Sequence, residues 1–357
     1  MPPWEREEIP MPTDLLRRAL RGARRGLLAI LALTMLGGIS GATWNAIRDA
    51  RDRARFAPPG QRVDVGGLRL HLHCTGPSTG QPTVILESGF NFPALAWRRV
   101  QPELAKGLRV CSYDRAGLGY SDPERTRTPQ TAAGMAQRLH TLLERAGVRR
   151  PLLLVGHSNG GYVVRSYYAQ FPGDVVGAVL VDSSNEHMDE HFVGPNWEEE
   201  HRADQKQEWN KLWQWQVLRF FGGLRFILSR KVGDPGLHFP RELVDETVFM
   251  INQPHAQATM LSEADGIPAT CAEMRAGRRL GDLPLLVLTA GKFQAPSLPP
   301  RGDYWNKLWV KDLQPELARL SSRGRQIVVD SGHMIPFEKP EAIVQAAAEV
   351  VAMAGAR

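Results

Sequence analysis

Leu152-Leu153-Leu154-Val155-Gly156-His157-Ser158-Asn159-Gly160-Gly161 is the stretch whose reading decides the fold. Its four leading apolar residues read as a short buried strand. A helix-compatible run follows from Tyr162 to about Ala169 and ends before Phe171-Pro172. Between strand and helix stands Gly-x-Ser-x-Gly, a sharp turn that lifts a serine hydroxyl clear of the backbone. A Cβ at either glycine would collide with neighbouring chain, so glycine is needed on both sides of Ser158. The amides beside the serine face the same space as the helix N-terminus, which suits a developing anion. Ser158 is therefore a candidate nucleophile.

On either side of this turn, strands alternate with helices. Residues 61–65 and 68–74 form a hairpin around Gly66-Gly67. Thr83–Glu87 is a short buried strand leading to Ser88-Gly89-Phe90, and a helix over 96–106 precedes the strand 109–113. The glycine-punctuated loop 114–122 follows. Met135, Leu139, Leu142 and Leu143 recur at helical spacing over 131–146. Another strand, 175–181, ends in Asp182. Strands at 283–289 and 326–329 and helices at 305–320 and 340–354 complete the pattern. It implies an α/β fold with a mainly parallel sheet covered on both faces.

Residues 183–281 break the rhythm and are too long for a loop. They read as an inserted helical cap, leaving 61–182 and 282–357 as the core. Trp209, Trp213, Trp215, Phe220, Phe221 and Phe226 cluster there within eighteen positions. Such a cluster packs as cap core, lines a site for apolar substrate or dips into a bilayer surface.

The net charge of +6 is concentrated at the N-terminus. Residues 1–55 hold ten Arg against six acids, so the remainder is near neutral and gives no case for nucleic acid. No Cys/His spacing suggests zinc, and no phosphate-binding glycine loop or other cofactor motif is seen. Residues 1–25 read as a basic, disordered segment. The uncharged stretch 26–47 is long enough to span a bilayer, and 48–60 reads as a linker. Arginines before the span place the N-terminus inside and the main domain outside the cytoplasm. Secretion after cleavage near Ser40-Gly41-Ala42 is the alternative.

His333, in Ser331-Gly332-His333, lies just beyond the last strand, at the sheet edge where the Ser158 turn also opens. It is the candidate base. The acid that would orient it is expected after strand 283–289, where Ala290–Gln294 holds no carboxylate. Asp182, at the preceding strand's end, is preferred, with Asp303 and Glu186 next. Backbone amides of Phe90 and Asn159 are placed to form an oxyanion hole.

Over roughly residues 61–355 the chain resembles the α/β-hydrolase superfamily. The resemblance is carried by Glu87-Ser88-Gly89-Phe90, by Tyr113-Asp114-Arg115-Ala116-Gly117-Leu118-Gly119-Tyr120-Ser121-Asp122, by Gly156–Gly161 and by Ser331-Gly332-His333. It implies an eight-stranded sheet with an antiparallel second strand and a cap between strands six and seven. It carries over Ser158 as nucleophile, His333 as base, and the Phe90 and Asn159 amides as oxyanion hole. Two departures stand out: Ser88 replaces a common histidine, and the acid after strand seven is missing. Members with the acid after strand six support Asp182. The same analogy sets Cys74 beside Cys111, as a disulfide or as two thiols, with Cys271 free.

Epoxide hydrolases and dehalogenases of this fold need a carboxylate at the turn, whereas serine implies an acyl-enzyme. Hydrolysis of carboxylic esters, apolar or lipid-like, is the expected activity on a small-molecule substrate. Amide, lactone or carbon–carbon hydrolysis is the alternative chemistry, and an inactive membrane-tethered binding protein the alternative class. The oligomeric state is open.

Overall fold

The computed structural model describes residues 13–124, 126–234, 239–277, 279–292 and 304–355. Eight strands form one sheet: β1 (Gln61–Asp64), β2 (Arg69–Thr75), β3 (Thr83–Glu87), β4 (Val110–Tyr113), β5 (Leu152–His157), β6 (Val175–Val181), β7 (Leu285–Ala290) and β8 (Gly324–Val329). Their order is β1-β2-β4-β3-β5-β6-β7-β8. β2 runs antiparallel to both neighbours, and every pair from β4 onward is parallel.

Strands buried on both faces sort their side chains by alternation. Leu152, Leu154, Ala178, Leu180, Leu285 and Val287 pack with Leu139, Leu142, Val163 and Tyr167 on one face. Leu153, Val155, Val179, Val181, Leu286 and Leu288 pack with Trp97, Ile343, Ala347 and Val350 on the other. The first layer comes from α3 (Ala132–Arg145) and α4 (Gly160–Gln170), reached after α1 (Thr13–Arg55) and the short α2 (Gln101–Leu104). Thr131 caps α3 by accepting the Gly134 amide at 3.2 Å.

The cap between β6 and β7 comprises α5 (Met188–Phe192), α6 (Trp197–Phe220), α7 (Gly223–Val232), α8 (Val244–Ile251), α9 (Ala256–Asp265) and α10 (Ile267–Arg275). Beyond β7 come α11 (Tyr304–Leu308), a π-helical turn Trp309–Leu313 and α12 (Gln314–Ala318). α13 (Ile335–Glu338) and α14 (Pro340–Gly355) close the chain. Proline near the start of α2 and α12 falls inside what sequence reads as longer helices, 96–106 and 305–320.

Two expectations change and two open readings are narrowed. The basic segment is helical from Thr13, and 48–55, expected as linker, continues α1 to Arg55. Asp49 and Asp52 hold that last stretch against the cap through Arg219 and Arg225. The cap aromatics are not one core: Trp213, Phe220, Phe221 and Phe226 are exposed. Cys74 and Cys111, opposed in the β2–β4 register, form a disulfide, and Cys271 is free and buried.

Candidate functional site

The turn after β5 is fixed by near-contact of backbones. A Cβ on Gly156 would stand 2.7 Å from the Gly160 carbonyl, and one on Gly160 would stand 2.6 Å from two carbonyls, those of Glu87 and Ser88. Ser158 takes φ +53°, a left-handed conformation uncommon for a residue with a Cβ. Its amide donates to the Val181 carbonyl at 3.0 Å, and its carbonyl accepts from Gly161 and Ser184 at 3.0 and 3.1 Å. Local strain of this kind persists only where surroundings over-determine it. The result is a half-buried serine at the carboxyl edge of the sheet.

Asp182, one strand over, also has positive φ, +42°, and is fully buried. Its Oδ1 accepts the Ala290 amide at 2.8 Å and the Trp309 indole N–H at 2.7 Å. Its Oδ2 lies 2.6 Å from His333 Nδ1. With Nδ1–H donated to a carboxylate, Nε2 is left as the basic nitrogen. The other candidate acids stand elsewhere. Glu186 pairs with Arg165 through two contacts of 2.7 and 2.8 Å, and Asp303 lies outside the described residues.

His157 has a second duty that its place beside Ser158 does not announce. Its Nε2–H donates to the His333 carbonyl at 2.9 Å, and the two rings lie 4.8 Å apart. Burial, with His333 adding to it, pushes this imidazole down to about 3, so it is a neutral strut for the His333 loop.

Gly89 brings the loop after β3 over the serine. A Cβ there would be 3.1 Å from Ser158 Cβ. The backbone N–H groups of Phe90 and Asn159 donate to no other group among the described residues. Arg115 holds this loop from below, donating to the Ser88 and Gly89 carbonyls at 2.7 Å each. It is itself clamped between buried Glu87 and Glu263, both at 2.7 Å. Glu263, on cap helix α9, also accepts the Asn91 amide at 2.7 Å. Sequence reasoning marks loop 114–122 but not this duty of Arg115. Trp309 and Glu263 carry no local signal, because their roles exist only after the turn beyond β7 and cap helix α9 fold back onto the sheet.

A cavity of about 380 Å³ lies apart from these groups, between the sheet edge and α8, lined by Leu95, Arg98, Tyr120 and Met250 among others. It also borders His71, which sits between Asp114 and the Pro59 carbonyl. No cluster that would hold a metal ion is found among the described residues.

Residues 82–228 match the family model described as alpha/beta hydrolase fold. The chain has the α/β-hydrolase fold, and its match to that family lies within residues 82–228. It is 36% identical over 129 residues to a protein of Hormonema carpetanum named "Probable transporter efuK", covering 35% of this chain and 18% of that one. It is 36% identical over 131 residues to an AB hydrolase superfamily protein of Gibberella zeae, covering 35% and 40%. The match thus spans less than half the length of either relative. Among solved structures, a thermophilic esterase from Thermogutta terrifontis superposes with a TM-score of 0.61 at 23% identity, covering 82% of this chain and 99% of that one. The shared feature is the α/β-hydrolase fold.

Proposed function

We propose that this hydrolase cleaves carboxylic esters, apolar or lipid-like, through an acyl-enzyme on Ser158. The observation that carries this reading is the 2.6 Å contact between His333 Nδ1 and a buried Asp182, beside a serine held at φ +53°. Ser158 Oγ attacks the ester carbonyl while His333 Nε2 takes its proton. Charge developing on the carbonyl oxygen meets the Phe90 and Asn159 amides. His333 then gives the proton to the departing alcohol, and water, activated by the same nitrogen, releases the acid. Asp182 holds the tautomer and stabilises the imidazolium.

In this reading α1 anchors the enzyme in a membrane, with the hydrolase domain on the far side from the N-terminal arginines. Its 39-residue span Arg17–Arg55 contains a window of mean hydropathy 1.8, none of it buried in the protein. The Cys74–Cys111 bond supports an oxidising compartment for the domain. Labelling of the full chain by a fluorophosphonate, lost in Ser158→Ala, tests the chemistry. Folded protein that resists the probe overturns it. Turnover of nitrophenyl esters that falls steadily beyond acetate overturns the preference for long acyl groups.

A further inference from the structure

The N-terminal helix is not a free tether. Where it passes the cap, Gly41 comes so close to the turn after α6 that a Cβ on it would stand 2.6 Å from the Phe221 carbonyl. A Cβ on Gly38 would be 3.0 Å from the Phe221 ring, and one on Gly222 would be 2.9 Å from the Trp44 ring. These contacts fall inside the uncharged stretch 26–47. Gly41 lies six residues before its end, which is about 9 Å along a helix axis. Twenty-two residues give about 33 Å, little more than a hydrocarbon core of about 30 Å. A bilayer placed around that stretch therefore holds Phe221 several ångströms below its surface.

The cap surface at this point suits such depth. Phe220, Phe221 and Phe226 are 59%, 45% and 58% exposed, and Val217 and Ile227 are open beside them. Charge resumes where the apolar stretch stops. Asp49 and Asp52 meet buried Arg225 at 2.6 Å each, and Arg55 meets Asp245 at 3.0 Å. Arg230 stands over the Phe226 ring at 4.7 Å, a pairing that suits a headgroup boundary.

We infer that the turn between α6 and α7, with Phe220, Phe221 and Phe226, is immersed in the same bilayer that α1 crosses. The cap then lies in the membrane face as interfacial helices do, with its apolar edge about 5–10 Å deep. This rests on the anchoring reading above. The continuity of the cap patch with the exposed apolar length of α1 selects lipid as the occupant over a second protein.

Single cysteines at Leu31, Phe220, Phe226 and, as control, exposed Val328 on β8 can each carry an environment-sensitive fluorophore in full-length protein. Cys271 stays out of the reaction, since burial pushes its thiol up to about 12. In nanodiscs with brominated acyl chains, the Leu31, Phe220 and Phe226 labels should be blue-shifted and quenched, and the Val328 label neither. Quenching at Leu31 with water-exposed labels at 220 and 226 overturns the immersion and leaves the anchor standing. No quenching at Leu31 overturns the anchor. Labels at 220 and 226 shielded from both lipid and water show a protein partner there, which also overturns it.

Discussion

Gly160 and Gly41 face the same demand: at each, a Cβ would stand 2.6 Å from a backbone carbonyl. Their surroundings differ. Around Gly160 polar groups are enclosed and partnered by protein: Arg115 between Glu87 and Glu263, Asp182 between Ala290, Trp309 and His333. Around Gly41 the contact is just as close, yet its neighbours Phe220 and Phe221 face outward. Close approach alone therefore does not make a core. The first region completes its own environment, and the second leaves an apolar face that a lipid phase would complete.

The most severe way to break the first region is at its proposed reacting atoms. Ser158→Ala is expected to lower kcat by at least ~10³-fold with the fold intact, measured on a nitrophenyl ester and by circular dichroism. Asp182→Asn is expected to cost on the order of 10³–10⁴-fold. It has a second consequence, because three N–H groups converge on Asp182 and an amide offers one oxygen. Turnover unchanged in that variant would refute Asp182 as the orienting acid.

Removing the central cation comes next. Arg115→Leu leaves Glu87 and Glu263 buried without a cation and is expected to destabilise by about 3–5 kcal/mol in denaturant titration. Burial already pushes the Glu87 carboxyl up against the pull of Arg115.

His157 gives the same region a pH signature. Its folded value near 3 lies below the ordinary value of 6.5 for histidine. The stability from keeping it neutral is full above about pH 6.5 and is lost as pH falls toward 3, on the order of a few kcal/mol. His157→Gln, which keeps a donor for the His333 carbonyl, should flatten that part of the stability-against-pH curve. An unchanged slope would sink the assignment.

The second region should yield less. Gly41→Leu is expected to cost about 1–3 kcal/mol by forcing α1 from the cap. Turnover of a water-soluble acetate ester should stay as it was. Arg55→Ala, which breaks an exposed pair with Asp245, should cost at most about 1 kcal/mol. If Gly41→Leu abolished turnover instead, the two regions would be one functional unit.

Much of the first region was legible in the chain. Strand alternation, the glycines around Ser158 and the histidine beyond β8 are local patterns, and local patterns survive without tertiary context. Asp182 was readable by position, since its strand ends beside that of Ser158. Glu263, Trp309 and the strut made by His157 were not. Each acts on a residue far along the chain, and an acid, an indole or an imidazole in a helix or loop has no spacing that announces such a partner. In the second region the apolar length of α1 was plain. Its persistence to Arg55 was not, because Asp49 and Asp52 read as the polar residues of a linker until Arg219 and Arg225 are seen opposite them.

The cap is tied at two separate points by buried ionic groups. Glu263 of α9 meets Arg115 and the Asn91 amide at the loop over Ser158, and Arg225 of α7 meets Asp49 and Asp52 of α1. Lifting such a roof opens two charge networks, each costing several kcal/mol. Passage of a substrate sideways beneath it opens neither. Under the function proposed above, the cap acts as a fixed awning and substrate reaches Ser158 past His333, whose side chain is 45% exposed.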